Sequence, residues 1–147
     1  MTSVSSSARA EAEVRALIEM RTQAVRDKNV PDATSSVAPD LVMFDVVDPL
    51  RRVGSDEATQ RSGAWFSTFK GQIGFAIRDL VVVASEDVAF SHSLNHYRGE
   101  TANGLLSMWV RMTTCYQRVD GNWIIVHEHS SVPFDTDTGK ASTNLQP

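Results

Sequence analysis

The sequence predicts an α+β domain in which helices cover one face of an antiparallel sheet. Three observations carry that expectation. Apolar residues near the N-terminus recur at helical spacing, and the second half of the chain is a succession of β-rich runs. Asp120-Gly121, between the last two runs, is the dipeptide a tight hairpin turn prefers. Helices followed by a meander of strands make a two-layer fold.

The first helix is expected over Ala8–Lys28, where Val14, Leu17, Ile18, Arg21 (by its aliphatic stem), Ala24 and Val25 share one face. Ser5–Ser7 offer capping oxygens, and the acids Glu11 and Glu13 precede the bases Arg26 and Lys28, as the helix dipole favours. Asn29 ends this helix, and Pro31 suits the first turn of a short second one reaching Val37. Leu41–Val47 reads as a strand closed by Asp48-Pro49. A third helix starts at Ser55 as its cap and runs to Phe69, burying Ala58, Ser62, Trp65, Phe66 and Phe69. Strands follow at Ile73–Ala84, Val88–Glu100, Leu105–Val119 and Asn122–Val132. The tail beyond Pro133 is polar.

At 147 residues the chain is read as one domain, with a core over about residues 8–134 and a tail at 135–147. Its net charge of −4, from 18 acidic and 14 basic residues, and the lack of any basic cluster denser than Arg51-Arg52 argue against a nucleic-acid partner. The single cysteine, Cys115, excludes an intrachain disulfide and a thiolate metal cage; within an apolar run it reads as a small buried hydrophobe. The start "MTSVSSSARA" has no apolar secretory segment. No stretch approaches the ~20 apolar residues of a membrane span. A soluble cytoplasmic protein without a membrane partner is expected.

Strand alternation sorts the polar side chains. A two-residue turn at Asp120-Gly121 sets Thr113 opposite Glu128, Arg111 opposite Ser130 and Cys115 opposite Val126. A four-residue turn at Thr101–Gly104 sets Arg111 opposite Leu94 and Thr113 opposite His92. On that register His92, Trp109, Arg111 and Glu128 share one face, above an apolar half, as a ligand cup requires. The other face carries Ser93, Asn95, Tyr97, Met108, Val110, Met112, Tyr116, His127 and His129, and reads as a subunit interface. Four histidines split between faces give no three-ligand metal site, unless a bulge moves one set across the sheet.

The order helix–helix–strand–helix–meander, ending in "RVDGNWIIVHEHSSVPF", resembles the SnoaL-like and ketosteroid-isomerase-like branch of the nuclear transport factor 2-like superfamily. The resemblance spans about Ala8 to Phe134. It implies a cone-shaped, cystatin-like fold, with three helices on a strongly curved sheet around a pocket, in a homodimer. The branch's general-base aspartate matches Asp45, nine residues before Gly54, with Asp48 as the competing alignment. A partly desolvated aspartate there suits proton transfer beside a carbonyl. The branch's two oxyanion donors fall on Arg21 and on Thr114 or Cys115, so steroid isomerisation itself is not implied. That role passes to Arg111, His92 or Trp109.

Two functions stay open. One is a cofactor-free isomerase-, cyclase- or dehydratase-type enzyme acting on a small, partly apolar carbonyl or hydroxy compound. Asp45 and His92 exchange protons in it, Arg111 and Glu128 hold the polar end, and Trp65, Phe66 and Trp109 form walls. The other is a non-catalytic ligand-binding or oligomerisation module. Neither requires a metal. Asp45 could equally be a strand-end turn acid, Arg111 and Glu128 an ordering ion pair, and His92 a satisfied core histidine.

Overall fold

The computed structural model describes residues 5–147; the polar start read at residues 1–4 lies outside them. Ser5 caps α1 (Ser6–Arg26), its hydroxyl accepting from the Ala8 N–H. The helix buries Ala10, Val14, Thr22 and Ala24 along its inner face. Asn29 caps α2 (Val30–Thr34) by accepting from Asp32, and Pro31 sits in its first turn. This helix stops short of Val37, which already belongs to β1 (Val37–Phe44).

A two-residue strand that the sequence reading missed, β2 (Arg52–Val53), pairs with Val42 and Met43. α3 (Ser55–Ser67) follows, between strands as the order helix–helix–strand–helix–meander predicts. Ser55 is its first residue and not its cap. Gly54, at φ 100°, makes the junction and donates its N–H to Leu41 of β1. The expected stripe holds: Ala58, Phe66 and Phe69 are buried, with Ser62 and Trp65 half-buried.

β3 (Gly74–Ala84), β4 (Val88–Thr101), β5 (Gly104–Val119) and β6 (Asn122–Ser131) form the predicted meander. The six strands lie in the order β2-β1-β6-β5-β4-β3. The sheet is mixed rather than wholly antiparallel, because β1 runs parallel to β6. That pairing needs the long crossover through the rest of the chain, which local turn signals do not announce.

Two apolar clusters close the ends of the cone. Ala10, Val14, Leu41, Tyr116, Trp123 and Ile125 pack at the end nearer the Asp120-Gly121 turn; Ala24, Ala33, Phe66, Phe69 and Ile73 pack at the other. The first end is latched by Glu13, which accepts from the Trp123 indole N–H at 2.9 Å and pairs with Arg118 at 2.9 Å. Arg118 also lies 4.5 Å over the Trp123 ring. The Trp123 hydrogen bond, aided by Arg118, holds the Glu13 carboxyl below its ordinary value. In the tail, Asp135 accepts from the N–H groups of Asp137 and Thr138, and Phe134 bridges to Ala141.

The β4–β5 register is the predicted one: His92 faces Thr113 and Leu94 faces Arg111. The β5–β6 register begins as predicted, from Val119 opposite Asn122 to Tyr116 opposite Ile125, and then slips. Cys115 pairs with His127 and Thr114 with Glu128, leaving Val126 as an extra residue. Such a bulge reverses every side chain beyond it. Glu128 therefore shares a face with Thr114, and not with His92 and Arg111 as the sequence reading had it.

Candidate functional site

The helices cover the face predicted to be an interface. Ser91, Asn95, Val110, Thr114 and Tyr116 are buried beneath them. Between helices and sheet lies an inner cavity of about 170 Å³, walled by Ile18, Val25, Phe66, Phe75 and Ile77 and edged with polar groups. A mouth chamber of about 280 Å³ adjoins it, lined by Met43, Val46, Leu106, Met108 and Val110. Ser62, Trp65, Tyr97, Met112 and Glu128 line both. An apolar volume with a few convergent polar groups is the form of a small-molecule site.

Trp65, Phe66 and Glu128 thus stand in the cup, and Asp45 lines its mouth. His92, Trp109 and Arg111 do not. They lie on the outer face of the sheet, where His92 and Arg111 are exposed. Arg111 donates to the Ser131 hydroxyl at 3.0 Å instead of pairing with Glu128. Trp109 stacks on His96, with ring centroids 4.6 Å apart. The bulge also brings His127 and His129 onto the face of His92. His127 Nδ1 lies 2.6 Å from the Val42 carbonyl oxygen, and both rings meet Phe44 edge-on. Among the described residues no three of His, Cys, Asp and Glu converge on a possible metal position.

The polar groups inside the cup are largely ones the sequence reading assigned elsewhere. Arg21, on the inner stripe of α1, donates through Nε to the Ala33 carbonyl at 3.1 Å. Its Nη1 lies 2.8 Å from Glu128 Oε1. This ion pair apart, Oε1 is fully buried without a hydrogen-bond partner among the described residues. Burial opposes the Arg21 charge, but Glu128 and the two tyrosines outweigh it and raise its pKa.

β4 contributes a polar row. Ser93 donates to Asn95 at 2.7 Å, and Asn95 Nδ2 donates to the Tyr97 hydroxyl at 3.3 Å. The Tyr97 proton is thereby left for another acceptor. Ser91 and Tyr116 share a hydrogen bond of 2.9 Å. Burial pushes Tyr97 up to about 12, so it remains a phenol that can donate. The raised value carries a pH signature: the favourable contribution is complete below pH 10 and is lost as pH rises to about 12. Denaturation midpoints should fall across that alkaline interval in the parent protein, and Tyr97→Phe should flatten the fall. An unchanged slope would show that burial does not raise Tyr97.

At the mouth, Asp45 is held by arginines. Its Oδ2 lies 2.6 Å from Arg61 Nε and 3.4 Å from Arg52 Nε, while Oδ1 accepts from the Val46 N–H. Both oxygens of Asp45 are therefore engaged within the chain. The sequence did carry one signal for the polar groups of the cup: Arg21 is a charged residue on an otherwise apolar helical stripe, where a guanidinium needs a partner. Nothing local marks Tyr97 or Asn95.

The SnoaL-like domain family matches residues 14–135 of the chain. Among solved structures, an NTF2-like protein of unknown function from Pseudomonas putida KT2440 is 36% identical, with 96% of this chain and 99% of that one covered and a TM-score of 0.88. A ketosteroid isomerase-like protein from Erwinia carotovora atroseptica SCRI1043 is similar in fold, at 18% identity, 82% and 94% coverage and a TM-score of 0.69. So is an uncharacterized cystatin-like protein from Caulobacter vibrioides, at 16% identity, 88% and 92% coverage and 0.73. No curated protein matches.

Proposed function

The chain belongs to the SnoaL-like family, and from that premise we propose that its cup binds a small, partly apolar carbonyl or hydroxy compound and moves a proton on it through Glu128. One observation carries this reading. Glu128 is 8% exposed, borders both chambers and, its ion pair with Arg21 apart, has a buried Oε1 without a hydrogen-bond partner among the described residues. A buried carboxylate left in that condition is costly, and a ligand donor relieves the cost.

Glu128 takes a proton from the carbon next to the carbonyl. Tyr97 donates to the oxygen as charge gathers there, and Arg21 keeps the carboxylate in place. Returning the proton to another carbon isomerises the substrate; delivering it to a departing hydroxyl, as the C–O bond breaks, dehydrates it. Phenylacetone in deuterated water tests the first step: the protein should speed exchange of its acidic C–H, as followed by NMR. Glu128→Gln, close in volume, should slow that exchange by about 10²–10⁴-fold. Full exchange by the folded variant would end the assignment.

A second reading, a non-catalytic binding or oligomerisation module, draws on the ion pairs. Both acids of the cup, Glu128 and Asp45, touch arginines. Phenylacetone bound without exchange supports it. In either reading the protein works as a homodimer through the outer sheet face, where Phe44, Val88 and Phe90 remain 37%, 56% and 43% exposed. Phe90→Glu should then halve the mass found by sedimentation; an unchanged mass refutes pairing through this face.

A further inference from the structure

Arg61 sits on α3 one turn before Trp65, and both line the mouth chamber. It spends only Nε–H, on Asp45. No other hydrogen bond from its guanidinium forms within the described residues, so both amino groups are uncommitted. Arg52 meets the same carboxylate through an Nε that is buried and has no hydrogen bond among the described residues. Two guanidinium groups thus share one carboxylate oxygen of Asp45. Glu57, the acid one turn before Arg61, has Oε2 engaged by the Val53 N–H. Beside these charges, Val46, Leu106, Met108 and Val110 form an apolar wall.

We infer that Arg61 selects the ligand's charge: the compound that enters the cup carries a carboxylate, held by the free edge of Arg61, and an apolar body that lies along the mouth wall toward Trp65. The inference rests on the reading that the cup holds a small molecule and adds its chemical class. The planar fork of arginine matches a carboxylate through paired N–H donors, and the partly buried setting strengthens them. Arg52 keeps Asp45 compensated while the anion is bound. Asp45 therefore acts here as a positioning residue for Arg61.

Naphthylacetate and its neutral analogue naphthylacetamide are the probes, with calorimetry as the readout. The parent protein should bind the acid at least about tenfold more tightly than the amide, as one charge-assisted contact implies. Arg61→Gln should bring the acid down to the affinity of the amide, and Arg61→Lys should restore part of the difference. Equal affinities in the parent, an acid preference that survives Arg61→Gln, or no binding of either compound each overturns the inference. Should Arg61→Gln fail to fold, the Arg61 Nε–H resonance of the parent decides: it shifts with the acid and not with the amide, and an unmoved signal refutes the contact. The two proposals fail separately. A protein that prefers the acid but shows no Glu128-dependent exchange keeps Arg61 and loses the base; one that exchanges phenylacetone yet treats acid and amide alike does the reverse.

Discussion

Arg21→Met should lower the free energy of unfolding by about 3 kcal/mol, at the low end of the cost of breaking a buried ion pair. Its partner Glu128 keeps only 11% of its side-chain surface in solvent, and Arg21 itself keeps 24%. Removing the guanidinium leaves that carboxylate without its cation and also frees the Ala33 carbonyl that ties α2 to α1. The partial exposure of Arg21 is why the upper end of the range is not expected. Arg21→Met combined with Glu128→Leu should recover most of the loss, because two apolar side chains need no mutual compensation. Urea titrations of the parent, both single variants and the pair measure the coupling directly. A single-variant loss below about 1 kcal/mol would show the pair to be hydrated like a surface bridge.

Ile125→Ala should cost about 2–5 kcal/mol, the range for opening a cavity by shortening a buried aliphatic side chain. Ile125 has no exposed surface and lies with Ala10, Val14, Leu41 and Tyr116 in one cluster. Its strand is flanked by β1 and β5 and cannot shift to fill the space, since the Ile125 N–H is tied to the Ser36 carbonyl at 2.7 Å. Calorimetric or denaturant unfolding measures the loss. A cost under about 1 kcal/mol would mean that this end of the cone collapses around the gap.

The fold class, the three helices and the meander were legible because each has a local cause. The apolar stripe of α1, the Asn29 cap, and the Asp120-Gly121 turn each act within a few residues. The parallel β1–β6 pairing and β2 were not legible, since neither has a local turn to announce it. For the site, Trp65 and Phe66 line the cup as expected, Asp45 lines its mouth, and Glu128 reaches it only because the bulge turns it off the predicted face, while His92, Trp109 and Arg111 lie on the outer face. Arg21, Tyr97 and Asn95 stood in their stead. Following the gradient from an apolar half to His92, Trp109 and Arg111 led to the wrong face; the helices bury the face carrying Ser91, Asn95 and Tyr116.

Local periodicity and turn chemistry, both written in neighbouring residues, determined by themselves that this chain lays helices over a sheet; the hollow between them was only what the resemblance implied. Which side chains meet in that hollow was settled only in three dimensions. One extra residue, Val126, reverses the end of β6, and the choice of the face the helices cover depends on burial summed across the whole sheet. Neither is a property of any short stretch of sequence, because alternation along a strand is indifferent to which side is called inside.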